Sequence, residues 1–169
     1  MMIPHGRNYW TVVFHPNSSY CIFYGRYSLG EFIVYDLQNG KILEKPKYMD
    51  TRVIAFSADG KYFTVVSDGG NVSIWDFPKC RRIITYNFPS LNYARIIDHY
   101  LYGIKDSGEN FSIFRMDITD FKNVGEPETL ATFHNADSLN IHNCSFRDIT
   151  ADETAREIIY QYCIETDKR

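Results

Sequence analysis

Three groups of side chains in this sequence are of types that can carry chemistry. His134, His142 and Cys144 offer the borderline and soft ligands that zinc prefers. Their spacing matches no established ligand pattern, so a strand-end histidine and a buried thiol are the simpler reading and no metal site is expected. Asp148, Asp152, Glu153 and Glu157 suggest calcium or paired-carboxylate chemistry, but they lack the alternating oxygen order and central glycine of a calcium loop. They read instead as a solvated turn, as do Asp117 and Asp120. The third group is Lys79, Arg81 and Arg82, with Arg26, Lys41, Lys45 and Lys47 on a neighbouring unit. Clustered cations bind phosphates, and exposed Tyr or Phe can stack bases; cations at the start of a strand also protect a sheet edge from unwanted pairing.

No convergent catalytic set accompanies these groups. The sequence has no serine nucleophile elbow, no paired-histidine zinc helix, no glycine-rich phosphate loop and no dinucleotide fingerprint. The reading is a non-enzymatic protein with no cofactor.

With 44% hydrophobic and 16% aromatic residues, the 169-residue chain has ample material for a core. Thirteen Tyr and twelve Phe favour sheets, because aromatic side chains pack well on a pleated, half-buried surface. A net charge of −3 supplies no global field toward nucleic acid or an anionic membrane. The opening MMIPHGRNYW has no apolar signal core, and no stretch approaches the roughly 20 apolar residues that cross a bilayer. A cytoplasmic or nuclear location is therefore expected. Cys21, Cys80, Cys144 and Cys163 form no close pair, which fits reduced thiols. Of the four Asn-x-Ser triplets, those at Asn71 and Asn110 sit where a turn enters a strand, so hairpin chemistry explains them.

The elements that would position these residues repeat with a period of about 40 residues. Phe56 lies 42 residues after Phe14, Trp75 lies 40 after Tyr35, and Phe114 lies 39 after Trp75. In the central unit, Asp59-Gly60, Gly69-Gly70 and Pro78 break the apolar runs. They delimit strands over Arg52–Ser57, Tyr62–Ser67, Asn71–Asp76 and Arg81–Tyr86. The first unit follows the same plan through TVVFHPNSS, YCIFYGR, EFIVYDLQNG and KILEK; the third reads ARIID, YLYGIKD, NFSIFRMD and, after a longer connection, TLATF. A fourth begins near Asn140 with IHNCSF and adds REIIYQYCI. Together they predict an all-β chain of roughly 14 strands, about three and a half four-stranded units in a single domain over 1–169, at approximately 9–47, 51–88, 93–134 and an incomplete 139–167.

The central unit resembles a WD repeat. Phe56-Ser57-Ala58-Asp59-Gly60 stands for the first-strand turn of that family, and Trp75-Asp76 for its signature dipeptide. Tyr35-Asp36 and Phe114-Arg115 take the dipeptide's place in the flanking units. The resemblance implies a WD40-like β-propeller and a scaffold that binds other proteins. It also implies a hydrogen-bonded tetrad of His, Asp, Ser or Thr, and Trp in each blade. Here Gly69 occupies the Asp position, with Asp68 one place earlier, and no His precedes Arg52. A divergent propeller packed by aromatic side chains is expected instead.

An incomplete propeller leaves a sheet edge and an apolar face to be covered. Three readings account for that: a truncated or naturally short form of the chain, completion of a four-bladed ring by Met1–Arg7, or another protein completing the open blade after Asn140. The leading function is a non-catalytic scaffold or adaptor subunit, and the alternative is an RNA- or phosphoinositide-binding subunit using Lys79, Arg81 and Arg82.

Overall fold

A computed structural model describes residues 11–25, 32–44, 51–107 and 110–134. These form twelve strands and no helix. The first sheet contains β1 (Thr11–Phe14), β2 (Tyr20–Tyr24), β3 (Phe32–Asp36) and β4 (Lys41–Glu44). The second contains β5 (Thr51–Phe56), β6 (Tyr62–Ser67), β7 (Asn71–Asp76) and β8 (Arg81–Asn87). The third contains β9 (Leu91–Ile97), β10 (Tyr100–Asp106), β11 (Asn110–Asp117) and β12 (Glu128–His134). Each sheet is an antiparallel meander in which sequence neighbours pair.

The central strands of each sheet are apolar on both faces: the second sheet lies between the other two, and the first and third carry clusters of their own on the opposite face, Cys21, Phe23, Ile33 and Tyr35 in one and Ile97, Ile104 and Ile113 in the other. In β6, Phe63 and Val65 point into a core shared with the first sheet, whereas Val66 joins a core shared with the third. In β7, Trp75 faces the first sheet while Val72 and Ile74 face the third. This is the two-residue alternation of a strand, applied at two buried surfaces at once. The first core also takes Ile22, Tyr24, Phe32 and Val34, and the second takes Leu91, Ala94, Ile96, Leu101, Phe114 and Met116. Gly103 is dictated by this packing: a Cβ there would come 2.5 Å from the Phe114 ring.

The turns are held by local side chains. At Asp59-Gly60, Asp59 Oδ1 accepts the Lys61 N–H at 3.0 Å and the Ser57 hydroxyl at 2.8 Å, and Gly60 adopts φ +73°. That left-handed conformation is open to glycine at little cost.

The outer strand of every sheet is interrupted at the same place. The pairing register skips Leu43 in β4, Ile83 in β8 and Leu130 in β12, each beside the position of Tyr35, Trp75 or Phe114. These are β-bulges, in which two residues oppose one. The strands fall close to where the turn residues and aromatic spacing place them, except that β9 begins at Leu91, three residues before the expected ARIID, and leaves Asp98 in the turn at φ +53°. The fourth unit after Asn140 lies outside the described residues, as do Met1–Arg7.

Candidate functional site

Trp75 and Asp76 end β7 and point to different tasks. The Trp75 ring stacks on Phe63 with centroids 5.9 Å apart and meets the Phe32 ring edge-on at 5.4 Å. It is therefore a contact between the first two sheets, within an aromatic group that also includes Phe56. The Thr64 hydroxyl cannot complete a tetrad with Trp75, because Thr64 follows Phe63 and lies on the opposite face of the sheet. It donates across the other junction, to the Ala94 carbonyl at 2.6 Å. Arg95 Nε donates back to the Phe56 carbonyl at 3.1 Å. Aromatic packing and junction hydrogen bonds stand where the sequence leads one to look for the tetrad.

Asp76 organises the basic group. Lys79 Nζ lies 3.6 Å and Arg81 Nη2 lies 4.0 Å from the same Asp76 oxygen, and both cations are largely exposed. Arg82 is exposed one residue further along β8. Lys41, on the first sheet, pairs in register with Asp36 and lies close enough to help lower its carboxyl pKa. Arg26, Lys45 and Lys47 lie outside the described residues.

The turn joining β7 to β8 buries Cys80, whose thiol pKa is pushed up to about 12 by burial first and by the charges of Glu44 and Asp76 second. Burial raises Cys21 as well. Such thiols are poor nucleophiles at neutral pH. Several carboxylates have tasks within their own turns. Asp36 is held below its ordinary range by the Asn39 side chain and backbone N–H, Asp117 by the Thr119 N–H and Asp120 by the Lys122 N–H. At Asp59, burial works upward but the Lys61 N–H and Ser57 hydroxyl outweigh it. Asp120 is thus a turn residue, as its sequence context suggests, whereas Asp117 is the last paired residue of β11 and caps the turn that follows.

His134 ends β12, and His142, Cys144 and the acidic group from Asp148 to Glu157 lie outside the described residues. Among the described residues, no three His, Cys, Asp or Glu side chains are grouped to hold a metal ion.

His15 and Ile83 escaped the sequence reading. His15 is buried after β1, with Nε2 3.0 Å from the Gly60 carbonyl and Nδ1 facing Asn17. The rings of Tyr20, Phe56 and Phe77 enclose it. The repeat offers a signal for it, because His15 and Asn17 lie 42 residues before Ser57 and Asp59, the pair that locks the next turn. Ile83 carries no such signal, since a bulge is a property of pairing.

No protein-family model matches the chain, and a search of curated proteins finds no match. Solved structures do match. The structure of U3-55K superposes with a TM-score of 0.58 at 16% identity, over 79% of this chain and 42% of that one. The RRP9 WD40 repeats give 0.57 at 16% identity, over 78% and 40%. The dihydro-heme d1 dehydrogenase NirN gives 0.56 at 19% identity, over 73% and 28%. This chain therefore spans less than half the length of each of these structures. At these identities the likeness shows a fold: that of a divergent WD40-like β-propeller, with each sheet a blade.

Proposed function

We propose that this WD40-like chain is a non-catalytic protein-interaction scaffold, an adaptor subunit of a multi-protein assembly in the cytoplasm or nucleus. The observation that carries the reading is the way the blades are built. Buried side chains join them into continuous cores, while their outer strands and turns remain toward solvent. A rigid support with a periodic polar rim suits the display of binding surfaces.

The conspicuous ionisable groups support the same reading. His15, Asp36, Asp59, Asp117 and Asp120 are engaged in holding turns and junctions. Two solved neighbours are WD40-type propellers, and NirN, a dehydrogenase, shares the fold, so the assignment rests on these residues as well as on architecture. The units over 9–47, 51–88, 93–134 and 139–167 are proposed to form one domain.

The alternative, RNA or phosphoinositide binding through Lys79, Arg81 and Arg82, has less support, because a net charge of −3 supplies no basic field to draw in a phosphate ligand. Cross-linking mass spectrometry on the natively isolated full chain tests the scaffold reading. Reproducible cross-links from exposed blade lysines to other proteins are expected; links only within the chain contradict it.

A further inference from the structure

The repeated bulge makes the three outer strands comparable: β4 also exposes an isoleucine, Ile42, but beside its bulge, and among the described residues β8 alone exposes one at the bulged position. Leu43 of β4 packs against the core between the first two blades, and Leu130 of β12 packs against Ile97, Ile104 and Ile113. Ile83 occupies the same bulged position in β8 and stands 40% exposed, while its neighbours Ile84 and Tyr86 pack on the second core.

The charge beside it differs as well. Lys79 and Arg81 converge on one carboxylate, Asp76, and the charge of Glu44 also reaches this turn; with Arg82, three cations face two carboxylates, so positive charge remains next to Ile83. Strand β4 begins with Lys41 and ends with Glu44, and on β12 Glu128 accepts from Arg115 Nε at 2.7 Å. A bulge and edge cations protect a strand from pairing with another chain. An exposed isoleucine works against that protection, so protection alone does not account for the β8 surface.

We infer that Lys79, Arg81, Arg82 and Ile83 form a docking strip for a short segment of a partner protein that carries a carboxylate beside an aliphatic or aromatic side chain. The carboxylate meets the cations and the apolar group covers Ile83. The bulge breaks the register of β8, an edge strand among the described residues, so recognition runs through side chains and not through an added strand. A phosphate polymer would use the cations and leave the isoleucine unused, which favours protein over nucleic acid. This inference rests on the scaffold reading and gives it a location and a partner chemistry.

Fluorescence anisotropy with the full chain tests it. The probes are a labelled peptide of about twelve residues containing Glu-Leu pairs between Gly-Ser spacers, the same peptide with Ser for Leu, and labelled oligouridine. The Glu-Leu peptide is expected to bind, and Ile83→Ser and Arg81→Glu are each expected to weaken it about tenfold, the scale of one well-placed contact. The Ser peptide should bind the unaltered chain correspondingly less tightly. Circular dichroism and thermal melting check that both exposed-site variants fold. Absence of peptide binding, or binding unchanged by both substitutions, overturns the inference. So does oligouridine binding that Arg81→Glu abolishes and Ile83→Ser leaves intact. If both variants retain every partner of the native assembly, this strip is excluded and the scaffold reading stands; if the native chain has no partner, the scaffold reading itself falls.

Discussion

His15 and Gly60, 45 residues apart in sequence, meet across the junction of the first two blades, with His15 Nε2 3.0 Å from the Gly60 carbonyl oxygen. The imidazole lies where a side chain on residue 60 would go, so a Cβ there would overlap it. One glycine thus serves its own turn, at φ +73°, and admits the neighbouring blade.

Gly60→Ala should therefore destabilise the protein by about 2 kcal/mol or more, through backbone strain and the collision with His15. His15→Ala on its own should also be destabilising. In a double-mutant cycle measured by urea unfolding, the combined loss should be smaller than the sum, because removing the ring removes the collision. Simple additivity would show that the two residues act independently.

Thr64 tests the second junction. Thr64→Val keeps the shape and leaves the Ala94 carbonyl without its 2.6 Å donor, which should cost about 1–2 kcal/mol. Thr64→Ser should retain much of that stability in the same unfolding experiment. Equal losses in Val and Ser would assign the effect to the methyl group.

Phe63 sits among Phe32, Phe56 and Trp75 with none of its surface exposed. Phe63→Ala should cost about 3–5 kcal/mol, as large aromatic truncations in a core do. Near-ultraviolet circular dichroism of a Trp10→Phe background, which leaves Trp75 as the reporter, should lose tryptophan signal together with the loss of stability. A signal unchanged at full folding would place Trp75 in another environment.

Alkali should destabilise the fold. Cys80 and Tyr86 are each pushed up to about 12 by burial, from ordinary values of 9.0 and 10.0. Above about pH 9 the unfolded chain releases protons that the folded chain keeps, so stability present below that pH is lost as pH rises toward 12. Urea midpoints across that window should fall, and less steeply in Cys80→Ala. The native Cys80 thiol should also resist a thiol reagent at pH 8; labelling as fast as in the unfolded chain would contradict its burial.

Much of the fold was legible in the sequence because its signals are local. Asp59-Gly60 and Gly69-Gly70 mark turns through backbone geometry, and Phe14, Phe56, Tyr35, Trp75 and Phe114 mark equivalent strand positions. The junctions were not legible. Thr64 looks like an ordinary strand threonine until Ala94 is brought beside it, and His15 looks like a turn residue until Gly60 arrives from the next blade. The basic group at Lys79, Arg81 and Arg82 was visible as charge. Its relation to Asp76 and to the exposed bulge at Ile83 depends on how β7 and β8 pair.

The most direct measurement of the scaffold account is the solution mass of the full chain isolated at native abundance, by size-exclusion chromatography with light scattering. The account predicts an assembly well above the 19.8 kDa of the chain alone, with the same other proteins present in fixed ratio in each preparation. A homogeneous species at 19.8 kDa, with no other protein in the peak, would contradict it.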